Sequence, residues 1–486
     1  MPRIAILLLA ICVFATAQDV VSLDARGVQL AQAGDLQGAV EQFRAALRLD
    51  PNYVDAWFHL GLAYHQARKT DEAMEALEET LRQRPEYLEA RYMLADCCAK
   101  RGDLKGELKL LAEVMRTQPG FAEAHYNYGL ALKNQEKVQE AVEELRAAVR
   151  LSPDNPKYLL ALGVGLAAVD KREAVEVLRK ALQHGPDDTT GHYNLGLALA
   201  AAGEDTSAVQ EFKRALELNP AHSQALRALG VTLLHAGQLE ESAATLQSAL
   251  NAAPSDAETA NNLGAVLLRL KNVPGAIQAL ERAVQLNPSL IKAHASLAQA
   301  YQRAGRGADA QRESERMADL TAQQRNRGRA MVLVESAQQQ FKAGRAADAI
   351  STLRQAIGAS PNFADAHFQL GRLIRESGGN PEAAIASFRR TLNLDPGREE
   401  AHYEIGVTLE RAGRKADALR EYEVAVEMAP CQVEAKAALG RLALQAGQWS
   451  TAAAQLRGVL ALQQPQNVEA RKAFERATAA SLEGKP

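Results

Sequence analysis

Apolar and polar residues follow one another along this chain with the period of an α-helix, and the helical pattern itself recurs. The stretch HYNLGLALAAAGE (His192–Glu204) repeats HYNYGLALKNQEK (His125–Lys137) sixty-seven residues earlier, and YLLALGVGLAAVD (Tyr158–Asp170) lies midway. Prolines mark the interval, at 51, 85, 119, 153, 186, 220, 254, 288, 361, 396, 430 and 465. All steps are 33 to 35 residues except one of 73. With each proline counted as position 32, apolar residues fall at positions 4, 7, 8 and 11 and again at 20, 24 and 27. Those spacings are one helix face, twice per unit, so each unit is expected to be two helices and a turn. The proline then ends the second helix.

Position 8 is Gly in ten of thirteen units, among them Gly27, Gly61, Gly129, Gly196 and Gly264, and Ala in the rest. Position 20 is Ala in eleven of them. A helical Gly costs about 1 kcal/mol relative to Ala, so its retention calls for a packing reason. Small residues at 8 and 20 are expected to let the two helices cross closely.

In the second unit Trp57, Leu60, Gly61, Tyr64, Ala73, Leu77 and Pro85 stand in a W-x2-L-G-x2-Y…A-x3-L…P order. This resembles the tetratricopeptide repeat (TPR) family, with Leu where the family has Phe. The resemblance spans nearly all of residues 20–465. It implies an all-α, right-handed superhelical solenoid of about thirteen repeats, stabilised by neighbour contacts, with a concave binding surface. Asn467–Glu483 reads as a single capping helix with its charges outward. Glu107 occupies position 20 in repeat three, where local loosening or a carboxylate reaching solvent is expected.

The 73-residue step is two repeats plus five residues. Ala308–Ala330 reads as an overlong second helix running to about Arg327, with a kink or hinge near Gly328. Two arrays are therefore expected, residues 18–325 with nine repeats and 326–465 with four, followed by cap and tail at 466–486. The arginines around Gly328 fit a binding patch or, more simply, a solvated helix face.

With positions 4, 7, 8 and 11 in the core, positions 2, 5, 9 and 12 face the concave side. Position 5 carries Phe58, Tyr92, Tyr126, Leu160, Tyr193, Phe368 and Tyr403. Position 2 carries Asp55, Glu89, Glu123, Glu258, Asp365, Glu400 and Glu434, an expected acidic rim. Rigid aromatics in a groove suit an extended peptide; the same rings also suit packing on the next repeat. Asn127, Asn194 and Asn262 fall at position 6. In the TPR half of O-GlcNAc transferase, asparagines at that place bind substrate backbone, so these residues join the candidate groove as the resemblance implies. Only three repeats match, and the ordered Lys/Arg and Asn set of chaperone-binding TPR clamps is absent from the sequence.

Composition adds limits. Apolar residues make up 47%, charged residues 24%, and the net charge is -3, with no basic stripe of the kind nucleic acids need. Met1–Ala17 has a positive start, an uncharged apolar run and an A-x-A close. It reads as a secretory signal cut after Ala17, which places the mature chain in the periplasm or outside the cell. The alternative is a lipoprotein anchored through Cys12. Cys97, Cys98 and Cys431 are then left, an odd set that makes no disulfide framework; helix geometry disfavours a bridge between Cys97 and Cys98, and the three are expected to be buried small hydrophobes rather than a redox pair.

His125, His192, His294, His367 and His402 all sit at position 4, one per repeat, too far apart to share a metal and suited to replace Trp as packing residues. GVGLAA (Gly163–Ala168) lies inside a first helix with no strand before it, so it is not a dinucleotide turn. No catalytic motif is present, and the repeats leave no stretch of about a hundred residues for a catalytic domain. The expected function is a non-enzymatic, cofactor-free scaffold that binds other polypeptides. The alternatives are the recruiting subunit of a separate enzyme, such as a glycosyltransferase, and a structural part of an envelope or pilus assembly machine.

Overall fold

The computed structural model describes residues 18–462 and 467–482. Among the described residues all regular elements are helices, paired as helix-turn-helix units in the expected register. Repeat two is Val54–Gln66 with Thr70–Gln83, repeat three Leu88–Lys100 with Leu104–Thr117, and repeat thirteen Val433–Gln445 with Trp449–Leu462. A last helix, Val468–Leu482, follows repeat thirteen and packs on it. The expected leader at 1–17, including Cys12, lies outside the described residues.

The glycine at position 8 receives a side chain from position 24 of its own repeat. A Cβ on Gly196 would stand 2.6 Å from the Phe212 ring, and one on Gly264 would stand 2.4 Å from Leu280. Phe212, Leu280 and the position-20 alanines Ala208 and Ala276 are fully buried. Position 8 is thus a socket for the position-24 side chain, more specific than a mere meeting of small residues. The turn inside each repeat most often carries glycine in the left-handed region, as at Gly203 (φ 84°) and Gly237 (φ 78°). Arg68, Glu136 and Lys271 hold the same conformation with a side chain, at φ 59°, 61° and 61°.

Two expectations on organisation change. Gly307–Lys342 is one helix of 36 residues that runs through Gly328 without a break. The second helix of repeat nine and the first of repeat ten are fused. A single glycine costs only about 1 kcal/mol, too little to end a helix that long. The compact units also differ from the two successive arrays. Residues 132–332 with 358–360 form one unit; described residues up to 131, with 333–357 and those from 361 onward, form the other. In this second unit the first repeats and the last repeats pack together.

That packing forms a seam in which repeats two and three meet repeats twelve and thirteen and the last helix. Val459, Leu460, Ala461 and Leu462 are buried in one core with Leu77, Leu81 and Leu94. The Glu78 carboxylate pairs with Lys436, their side chains only 4% and 7% exposed. Arg82 lies over the Phe474 ring at 5.2 Å, so the last helix covers repeat two as well as capping repeat thirteen. Asp103, buried, accepts from the backbone N–H of Gly106 at 2.9 Å and of Cys431 at 2.8 Å. Cys98 and Cys431 form a disulfide with Cα atoms 6.0 Å apart. The expectation that no bridge forms is corrected here, because the repeat period carries no information about which distant repeats meet. Cys97 remains a buried free thiol, pushed up to about 12 by burial.

Glu107 is 8% exposed, so its carboxylate neither reaches solvent freely nor loosens the helix pair. Burial, followed by the charges of Asp96 and Asp103, lifts its pKa from the ordinary 4.5 to about 7.

Three outcomes follow from these contacts. Gly196→Ala overpacks the Phe212 socket at a cost of about 1–3 kcal/mol, read as faster amide hydrogen exchange over Thr189–Leu218. Lys271→Gly relieves left-handed strain and stabilises repeat eight by about 1 kcal/mol, read as slower exchange over Ala257–Leu286. The raised pKa of Glu107 means the folded chain holds its proton more tightly than the unfolded chain. Stability from this residue is full below pH about 4.5 and falls until about 7. Glu107→Gln removes that loss, so in thermal melts its advantage should grow across this window to about 3 kcal/mol and then level off. An advantage constant with pH would contradict the assignment.

Candidate interaction face

The face formed by the first helices begins with an anchor that fixes each helix start. Trp57 donates its indole N–H to the Pro51 carbonyl at 2.9 Å. Histidine does the same at position 4 elsewhere. Nε2 lies 3.0 Å from the Pro119 carbonyl in His125, 2.9 Å from Pro186 in His192, 3.0 Å from Pro288 in His294 and 2.9 Å from Pro361 in His367. Trp and His are interchangeable here because both present a ring N–H at the same place. The other ring nitrogen meets a glutamate nineteen residues on, Glu211 for His192 and Glu313 for His294, both at 2.6 Å. His402 meets Glu421 at 2.7 Å. Among the described residues no group of His, Cys, Asp and Glu is arranged to hold a metal.

One position further along, the aromatics pack toward the start of the next repeat. In the unit containing both termini, Phe58 lies on Tyr87 with centroids 4.7 Å apart and Tyr92 on Phe121 at 5.0 Å. Tyr126 is half-buried, its phenol raised by burial and then by Glu123. Phe368 is 5% exposed, edge-on to Phe388 at 5.7 Å, with Arg398 over its ring at 4.0 Å. Phe368 therefore belongs to the core and is withdrawn from the groove. Tyr403 is half-buried against Tyr422, with centroids 5.8 Å apart. In the other unit Tyr193 stacks on His222 at 5.1 Å and stays half-buried. These rings tie repeat to repeat and keep part of a face toward solvent.

The asparagines are not a uniform row. Asn127 donates to the Tyr92 hydroxyl at 2.8 Å, and Asn194 donates to the Thr190 carbonyl at 2.8 Å. Asn262 is half-buried. The acidic rim is largely neutralised in the unit containing the termini. Asp55 pairs with Arg84 at 3.3 Å, Asp365 with Arg398 at 2.8 Å, and Glu400 with Lys105.

What distinguishes stretches of this face is position 9, with position 12 beside it. In repeats five to seven positions 5, 9 and 12 give Leu160, Val164 and Ala167, then Tyr193, Leu197 and Ala200, then Arg227, Val231 and Leu234, with Arg227 paired to Asp256 at 3.2 Å. All are half-buried except Leu197, which is 38% exposed. In repeats eleven to thirteen of the other unit the same positions hold Phe368, Arg372 and Arg375, then Tyr403, Val407 and Glu410, then Ala437, Arg441 and Leu444. Arg375 pairs with Glu404 at 2.7 Å and Arg441 with Glu410 at 2.9 Å. Burial raises the Glu404 carboxyl while Arg375 opposes that shift. One fold thus presents a mainly apolar stretch and one that carries more charge. Aromatic counting missed this contrast; what sets Leu197 apart from the other aliphatic residues after position-8 glycines is its exposure.

Family models match most of the repeats. Models described as TPR repeat or tetratricopeptide repeat match residues 27–67, 64–106, 122–155, 335–399 and 375–432. A cilia and flagella-associated protein 70 middle TPR-like domain matches residues 178–321. An uncharacterized protein of Methanocaldococcus jannaschii is 40% identical over 50 residues, which are 9% of this chain and 58% of that relative. Among solved structures, MamA from Desulfovibrio magneticus RS-1 is 27% identical, with 34% of this chain and 95% of that one aligned and a TM-score of 0.31. A tetratricopeptide repeat protein from Parabacteroides merdae is 15% identical, with 51% and 99% aligned and a TM-score of 0.40. No helix among the described residues is long and apolar enough to cross a membrane. With the 34-residue register, the glycine sockets and the family models in agreement along the chain, this protein belongs to the tetratricopeptide repeat family.

Proposed function

We propose that this TPR protein is a non-enzymatic scaffold that holds an extended, apolar polypeptide segment against the first helices of repeats five to seven. The observation that carries the reading is the stripe of Leu160, Val164, Tyr193, Leu197 and Val231 left half-buried or exposed. These residues stand at helix spacings that put them on one side. Apolar surface kept at the centre of such a face contributes binding energy when a partner covers it. Asn194 sits beside the stripe and retains a carbonyl oxygen suited to a backbone N–H.

We place the mature chain in the periplasm or outside the cell. The leader read from Met1–Ala17 supports this, and so does a disulfide between residues 333 apart in sequence, because such bonds persist where thiols are oxidised.

The test compares the chain from Gln18, as bait in native envelope extract, with Leu197→Glu and with Tyr126→Ala/Tyr193→Ala. A captured partner is then titrated against each. Leu197→Glu should weaken binding at least about tenfold, roughly 1.4 kcal/mol, with unchanged helicity because its side chain lies at the surface with a route to solvent. Equal affinity for wild type and Leu197→Glu would move the site elsewhere. A loss of helicity in the double tyrosine variant would make those two rings structural only.

A further inference from the structure

We infer that the Cys98–Cys431 disulfide is a clasp whose oxidation state sets whether repeats twelve and thirteen stay docked on repeats two and three. Cys98 fills a buried core position of its own repeat, and its sulfur also reaches across the seam. Cys98 stands at position 11, where repeat two has Tyr64, and Cys431 follows Pro430 in a turn where other repeats carry residues such as Asn52, Glu86 and Asp154. Cys431, apolar and 2% exposed in a turn that is otherwise polar, departs from the repeat pattern where the seam brings it to Cys98.

The seam is shaped for this contact. A Cβ on Gly106 would stand 2.3 Å from the Cys431 Cβ, and one on Gly458 would stand 2.6 Å from Lys436 Nζ and 2.9 Å from Glu78 Oε1. Both glycines lie in second helices and leave room for a group from the opposite side of the seam. Asp103 caps its own helix and also receives the N–H of Cys431, which holds the turn against repeat three.

The non-covalent seam is expensive to form. Its apolar gain from Leu460, Leu462 and Phe474 is set against the desolvation of Glu78 and Lys436, which their mutual attraction repays only in part. Burial raises the Asp103 carboxyl, a further desolvation cost. Docking also costs the freedom of the first and last repeats to move apart. A disulfide removes most of that freedom from the open state, so oxidation shifts the balance toward docking.

Formation needs an external oxidised disulfide, for which oxidised glutathione serves as the probe. The Cys98 and Cys431 thiols give up two protons and two electrons, one S–S bond forms between them, and the S–S bond of the donor is reduced to two thiols. Once formed, the bond is insulated. Cys98 is fully buried, Cys431 is 2% exposed, and the neighbouring Cys97 stays protonated, so it is a poor nucleophile. Reduction therefore has to wait for the seam to open.

Hydrogen exchange by mass spectrometry on the full chain tests the clasp. The oxidised protein is compared with the same folded protein after phosphine reduction and with Cys98→Ser. Exchange over Thr70–Gln83 and Trp449–Leu462 should quicken at least tenfold in both, while Ala257–Leu286 stays unchanged. Unchanged protection of Trp449–Leu462 after reduction would overturn the proposal, since the seam would then hold without the bond. Peptide mapping that finds Cys98 and Cys431 as free thiols after refolding with oxidised glutathione, or Cys97 paired with Cys431, would overturn it too. Gly458→Ala crowds the ion pair without touching sulfur. It should speed dithiothreitol reduction of the bond at least tenfold, and a wild-type rate would refute the requirement for opening.

Discussion

Most repeats depend on one contact, a position-24 side chain set into the gap left by a position-8 glycine. The Phe212 ring occupies the space a Cβ on Gly196 would need, and Tyr422 does the same at Gly406. This contact fixes how closely the two helices cross. The crossing in turn fixes where the next proline turn begins, and the Trp or His ring bonded to that proline's carbonyl fixes the next first helix. Local geometry therefore propagates along the chain through nearest neighbours. Interior packing near crystal density gives the socket little tolerance for an added methyl group.

Because that logic is local, it was legible in the sequence. The period, the helix pairs, the small residues at positions 8 and 20 and the histidines in place of Trp could all be read from spacing alone. Four features could not. The fusion of two helices across Gly328 turned on a cost too small to break a long helix. Phe368 shares its position with half-exposed rings, yet Phe388 and Arg398 close over it. Glu107 is buried where a carboxylate was expected to escape, because its neighbours leave it no route to water. The seam, finally, pairs residues more than three hundred apart, and periodicity is silent on such pairs.

Some trace of the seam was nevertheless present. Val459–Leu462 is apolar on all sides of its helix, which is unusual for an element with one face toward solvent. Glu78 to Leu81 is a run of buried residues in a second helix whose outward side is ordinarily solvated. Gly106 and Gly458 are glycines at second-helix positions where a Cβ would meet Cys431 and Glu78 across the seam. Departures from the repeat pattern that cluster in units two, three, twelve and thirteen are what a long-range contact leaves in a periodic sequence. Two cysteines among those departures would have been the strongest pointer.

The same division between periodic and non-periodic residues bears on function. Position-5 aromatics pack within the solenoid, on the next repeat at Phe58, Tyr92 and Tyr193 and on their own repeat at Phe368 and Tyr403, so their recurrence alone says little about a ligand. Position 9 is less constrained: it packs on the core at Val28 and Val407, yet varies from Leu197 and Val231 in one unit to Arg372 and Arg441 in the other. A residue whose side chain the solenoid does not need, and which is still apolar and partly exposed, costs solubility unless something covers it. The chemistry of recognition in this chain should therefore be sought where the repeat makes less demand, at position 9, with the conserved-looking rings serving as the frame that holds it in place.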